Sequence, residues 1–239
     1  MMNARKYAIQ MLDKLRSLSE TDFLNEKIRN IYSETVKAMK SLPETDIDFL
    51  LLTLEKEYIA AIKGESSFLT CQPISEALAA YKAQRAVPII CRILIDPDAS
   101  MVREDTAEIL GEMNDPSAVP FLIQILSSTE AGIRAKAVES LGMLKDRRAI
   151  QPLLKLLNDS FETVREYTVN ALVRLEAKEA SSKLITVLRD DDDLYVRIAA
   201  AKALGELKIS DAIAILKEIV GKETNSDLVE EAQNALAKI

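Results

Sequence analysis

The sequence predicts an all-α fold, a right-handed α-α superhelix of stacked helix pairs preceded by a three-helix N-terminal cap. Three observations carry that expectation. Ala, Leu, Glu, Lys and Ile dominate a chain with only 6 Gly and 7 Pro, so local preference is helical almost throughout. A segment of 31–32 residues recurs about five times. Each copy holds two apolar stripes at helical spacing, and a single helix pair cannot bury its stripe without a neighbour.

Copies started at Val102, Ile133, Val164 and Val196 superimpose. The eighth place after each start is Leu110, Leu141, Leu172 or Leu204, and the sixteenth is Ala118, Ala149, Ala180 or Ala212. Stepping back 32 residues recovers an earlier copy through Leu78, Ala86, Ile90 and Leu94, and stepping forward gives a final half-copy with Leu228, Ala235 and Leu236. The first helix of a copy repeats apolar residues as in Val196, Ala200, Ala203, Leu204 and Leu207, and the second as in Val119, Leu122, Ile123 and Leu126. Asp115 before Pro116 reads as a helix N-cap, and Ser210 as the cap of a helix from Asp211. Gly111, Gly142 and Gly205 are expected where neighbouring helices approach closely.

Residues 1–69 do not follow the repeat and read as a cap, a docking element for a partner being the alternative, with residues 70–239 as the repeat domain. Helices are expected over 4–18, 22–42 and 44–63, broken at residues 19–21 and at Pro43. Their stripes are Phe23, Ile28, Ile31, Tyr32, Thr35 and Met39, then Ile47, Leu51, Leu54, Tyr58 and Ile62. Gly64 to Ser67 is the natural boundary.

The pattern V-R-x-x-A-x-x-A-L-G-x-L followed by A-V-P-x-L-x-x-x-L, clearest over 196–207 and 118–126, resembles the HEAT-like repeats of phycobilisome lyases and their relatives. The resemblance covers about residues 70–239. It implies that second helices line a concave, partner-facing side, the surface on which a non-catalytic interaction scaffold or adaptor would hold its partner; the motif itself specifies architecture rather than function. The resemblance implies, as the alternative, a subunit of an E/F-type phycobilin lyase or a related phycobiliprotein-processing factor.

Composition excludes much chemistry. Histidine is absent, which removes His-based acid-base catalysis and most zinc and iron sites, including the His-Glu iron site of HEAT-repeat deoxyhypusine hydroxylases. No Gly-rich phosphate loop occurs. With 31 basic and 38 acidic side chains the net charge is −7, and there is no Trp, unlike the basic, Trp-lined HEAT-like DNA glycosylases. Nucleic acid is therefore not an expected partner, nor is a membrane span, a catalytic residue, a metal or a cofactor. Cys71 and Cys91 read as buried, reduced thiols of a cytoplasmic protein. The run Asp190 to Asp193 lacks the spaced ligands and Gly of a calcium loop and reads as a capping turn. Arg103, Arg134, Arg165 and Arg197 recur at the second place of each copy, and the resemblance implies that they pair with acidic or carbonyl groups of adjacent turns as a structural ladder rather than forming an anion-binding row.

The expected function is therefore protein binding. Second-helix positions that face outward, with an apolar Ile and Phe flanked by basic groups, resemble an interface core and rim. The candidate partner-binding residues are Arg85, Ile89, Arg92, Phe121, Gln124 and Lys155, and the expected partner is acidic and partly apolar at its contact.

Overall fold

The structure is a computed structural model that describes residues 4–18 and 26–239. The expected break at residues 19–21, the start of the second expected helix, Phe23 and the Ile28 side chain lie outside the described residues. Among the described residues every regular element is helical, and the chain divides into two compact units, residues 1–121 and 122–239.

In the first unit α1 (Ala4–Arg16) packs on α2 (Glu26–Lys40). Both α2 and α3 (Ile47–Ile62) pack on α4 (Cys71–Ala80), while α4 and α5 (Val87–Ile95) pack on α6 (Arg103–Met113). So α3 stands to α4 as α5 stands to α6, and α2–α3 occupies the place of a repeat although its sequence does not follow the repeat pattern. Any hairpin with one apolar face can fill that place, because only the buried stripe is required. The stripe differs from the expected one: Leu50, Leu54, Tyr58 and Ala61 are buried, while Leu51 is half-buried and Ile62 is exposed. The cause is that α3 carries apolar residues on more than one face, so periodicity does not choose the buried one; packing on α4 does. Asp46 and Glu57 are almost covered, and each is ion-paired to α1, through Arg5 and Arg16 respectively.

The first helices of the second unit are α8 (Ala131–Leu144), α10 (Glu162–Arg174), α12 (Leu194–Glu206) and α14 (Ser226–Lys238), and they pack in a row. The second helices α9 (Ile150–Leu156), α11 (Ser181–Asp190) and α13 (Ile213–Lys222) each pack on the following first helix. The helix α7 (Val119–Ile125) carries the chain across the division between the units. Close approach within the row depends on glycine. A Cβ on Gly205 would lie 2.6 Å from the Ala235 Cα, and one on Gly142 would lie 3.1 Å from the Ala171 Cα.

Each copy is punctuated twice. The first helix gives way to a left-handed residue at the twelfth place after each start: Lys82, Asn114, Lys145, Glu176 and Lys208, with φ between 49° and 55°. A short 3-10 turn then precedes each second helix, at Gln84–Ala86, Pro116–Ala118, Arg147–Ala149, Lys178–Ala180 and Ser210–Ala212. Asp115 caps its turn by accepting from the Ser117 N–H at 2.8 Å. Ser210 does not act as a cap. It is the first residue of its turn, Ile209 holds the cap position, and α13 begins only at Ile213.

The recurrent arginines form a ladder. Arg134 Nε and Nη2 donate to both oxygens of Asp159 at 2.7 and 2.6 Å, and Nη1 donates to the Ser128 carbonyl at 2.8 Å. Arg165 repeats the arrangement on Asp191 at 2.9 and 2.8 Å and on the Asp159 carbonyl at 3.0 Å. Arg197 reaches Glu223 and the Leu188 carbonyl, both at 3.0 Å. Arg134 and Arg165 thus each join the turn before their own helix to the turn after the next, and Arg197 joins the end of α11 to the residue that follows α13. Arg103 bonds the upstream carbonyl of Asp96. The aspartate run serves the same frame: Asp191 and Asp192 pair with Arg165, and Asp193 caps α12 by accepting from the Val196 N–H at 3.0 Å.

Candidate partner-binding surface

With the ladder arginines engaged inside the stack, the candidate surface lies on the second helices. Of the six residues expected there, Arg85, Ile89, Arg92 and Phe121 fall in the first unit, and Gln124 and Lys155 in the second. Gln124 on α7 and Lys155 on α9 are exposed, and Phe121 is half-buried.

The structure brings Arg85, Ile89 and Arg92 together. Outward-facing residues of α5 and Asp48, Leu51, Leu52 and Glu55 of α3 line one groove of ≈ 450 Å³. Ile89 was expected to be exposed and is not: only 8% of it is accessible, and Leu51 and Leu52 share the groove with it. It forms the floor. Arg85 is exposed and pairs with the equally exposed Asp48 at 2.6 Å, a contact worth little in water. The Arg92 guanidinium lies 4.9 Å from the centroid of the Tyr58 ring, its only partner among the described residues.

Tyr58 is itself fixed. Its hydroxyl donates to Asp96 Oδ2 at 3.1 Å, and its ring meets Phe68 edge-on at a centroid distance of 6.1 Å. Burial and then the Asp96 contact push its phenol above the usual value, so it stays a proton donor while its face holds Arg92. The result is an exposed, oriented cation that no carboxylate of the described residues neutralises, beside an apolar floor. Such a group suits a carboxylate brought by another molecule.

The N-terminal helices were a docking element only in the alternative reading, and none of the six expected residues lies on α3. Leu52, Ile59 and Ile62 are 52%, 46% and 50% exposed. The available signal was surplus: α3 holds more large apolar residues than one buried stripe can take.

Cys71 and Cys91 are free and buried, in α4 and α5. Burial pushes the Cys91 thiol up to about 12 and that of Cys71 further, the latter also raised by nearby Glu57. Neither is a nucleophile in this state. Among the described residues no helix is long and apolar enough to cross a membrane.

The profile of the HEAT-repeat family matches residues 100–166 and 150–237. No curated protein sequence matches the chain. Among solved structures, the CpcE–CpcF complex of phycocyanin lyase from Nostoc sp. PCC7120 is similar at 20% identity, covering 99% of this chain and 94% of that one, with a TM-score of 0.53. The Escherichia coli protein YibA is similar at 18% identity, over 99% of this chain and 86% of its own, with a TM-score of 0.65. An engineered protein matches at 18% identity, over 99% and 96%, with a TM-score of 0.54. At these identities the likeness concerns the fold alone, a HEAT-like α solenoid.

Proposed function

Because the chain belongs to the HEAT-repeat family, we propose that it is a non-catalytic scaffold or adaptor that binds another protein through its second helices. The observation that carries this reading is Arg92, an exposed cation held in place by an aromatic ring and left without a carboxylate, above the apolar floor of Ile89. Arg85 sits on the same groove, and its weak pair with Asp48 is easily exchanged for a carboxylate of the partner. Phe121 in the first unit, and Gln124 and Lys155 in the second, are the further contacts proposed. The partner is accordingly acidic and partly apolar. A cytoplasmic location accords with two free thiols.

The test is affinity capture from an extract of the source cells by the wild type, Arg92→Glu and Lys155→Glu. Both substituted positions are exposed, so the variants should keep the wild-type helical content. A partner recovered by the wild type and weakened at least tenfold by Arg92→Glu is expected, whereas equal recovery by all three proteins contradicts the assignment.

The fold shared with the CpcE–CpcF complex favours a second reading, a lyase-type subunit acting on a tetrapyrrole-bearing protein. Bilin absorbance on the purified chain, or a co-purified phycobiliprotein, would support it. A colourless capture of some other partner would remove it.

A further inference from the structure

Leu52, Glu55, Ile59 and Ile62 follow one another at i, i+3, i+7 and i+10 on α3, so they form a single exposed stripe in which three of four residues are large and apolar. The stripe is about 15 Å long at 1.5 Å per residue. Leu52 opens onto the groove that holds Arg85 and Arg92. An apolar strip therefore runs beside a pair of cations, one of them oriented by Tyr58. Neither covering the end of the stack nor filling a repeat position requires these three side chains to be apolar.

We infer that α3 and α5 together form a docking site for an amphipathic helix of a partner protein, with apolar residues at i, i+3 or i+4 and i+7 and a carboxylate on the flank that meets Arg92. This rests on the scaffold reading and gives its partner a shape. Three turns of a helix match the length of the stripe. The carboxylate takes up Arg92, and a second can displace Asp48 from Arg85. Burial of half-exposed Leu52, Ile59 and Ile62 supplies the apolar gain. An anionic bilayer fits worse, since a flat anionic surface meets Asp48 and Glu55 together with the arginines, whereas a helix can place its carboxylate at Arg92.

The experiment is fluorescence anisotropy with two labelled 14-residue helical peptides of identical leucine pattern, one flanked by Glu and the other by Lys. The wild type should bind the Glu-flanked peptide at least tenfold more tightly. Leu52→Gln/Ile59→Gln, which keeps helix preference, should weaken that binding at least tenfold, about 1.4 kcal/mol, with no loss of helical content. Arg92→Gln should weaken it too and shrink the difference between the two peptides. Equal binding of both peptides, no binding of either, or no effect of the α3 variant overturns the inference. So does a concentration-dependent dimer, or binding to phosphatidylcholine vesicles, that the α3 variant abolishes, since either would assign the stripe another occupant. A loss caused by Lys155→Glu but not by the α3 variant leaves the scaffold reading standing while removing this site.

Discussion

Arg134 offers the sharpest test of what holds the second unit together. Its side chain and that of Asp159 are only 9% and 6% exposed, and they share two hydrogen bonds of 2.7 and 2.6 Å. Replacing Arg134 by Met keeps the aliphatic stem but removes the cation, its contact with the Phe161 ring and its bond to the Ser128 carbonyl. Asp159 is then left buried with one remaining donor, the Phe161 N–H at 3.0 Å. Breaking one side of a buried pair costs about 3–5 kcal/mol. Arg134→Met/Asp159→Leu leaves no unpaired charge and loses chiefly the turn bond, about 1 kcal/mol. The double variant should therefore be about 2–4 kcal/mol more stable than Arg134→Met. Acid behaviour gives an independent check. Burial of Asp159 acts to raise its pKa, but the bonds from Arg134 and the Phe161 N–H outweigh it and hold the carboxyl below its usual range. A carboxylate lowered on folding contributes stability above its unfolded pKa of about 4, and that contribution is lost as pH falls through the folded value. Without Arg134 burial dominates and the pKa rises above the unfolded value, so the buried charge costs stability at neutral pH and part of that cost is recovered as pH falls through the raised value. Urea unfolding followed by circular dichroism between pH 3 and 7 measures both effects. A loss under about 1 kcal/mol for Arg134→Met, with an unchanged acid profile, would refute the ladder as a source of stability.

Three further outcomes are expected. Gly205→Ala should cost about 1–3 kcal/mol in spite of its better helix preference, because the new Cβ meets Ala235 backbone at 2.6 Å, and Gly142→Ala should cost less; equal and negligible losses in denaturant melts would contradict the packing. Lys145→Gly and Lys208→Gly relieve left-handed residues and should each add about 1 kcal/mol, so the pair raises Tm by about 4 °C or more; a lowered Tm would show that the side chains matter there. Both cysteines should react with a thiol reagent at pH 8 only in urea. Since the folded chain keeps them protonated while an unfolded chain ionises them above about pH 8.5, stability should fall as pH rises beyond that point; rapid labelling of the native protein would contradict their burial.

The repeat was legible because stacking imposes it. A leucine at the eighth place and an alanine at the sixteenth meet the same neighbours in every copy, and Leu110, Leu141, Leu172 and Leu204 are all fully buried. The ladder arginines were legible for the same reason, as was the capping role of Asp193. Ser210 misled because a 3-10 turn delays the second helix, and a short polar side chain at a turn has the same preference whichever turn follows. On α3 an excess of apolar residues left the buried face undetermined, so Leu50 and Ala61 were missed and Ile62 misplaced. Of the candidate site, Arg85 and Arg92 stood out as bases on outward positions. The burial of Ile89 and the support from Tyr58 depend on α3, which lies far away in sequence and outside the repeat.

The central claim, that a protein partner docks on the second helices, is tested most directly by hydrogen exchange of the chain with and without its captured partner. Slowed exchange centred on α3 and α5 in the first unit, with α4 and α6 unchanged, is the predicted result. Protection centred on α4 and α6, or spread evenly over first and second helices, would contradict it.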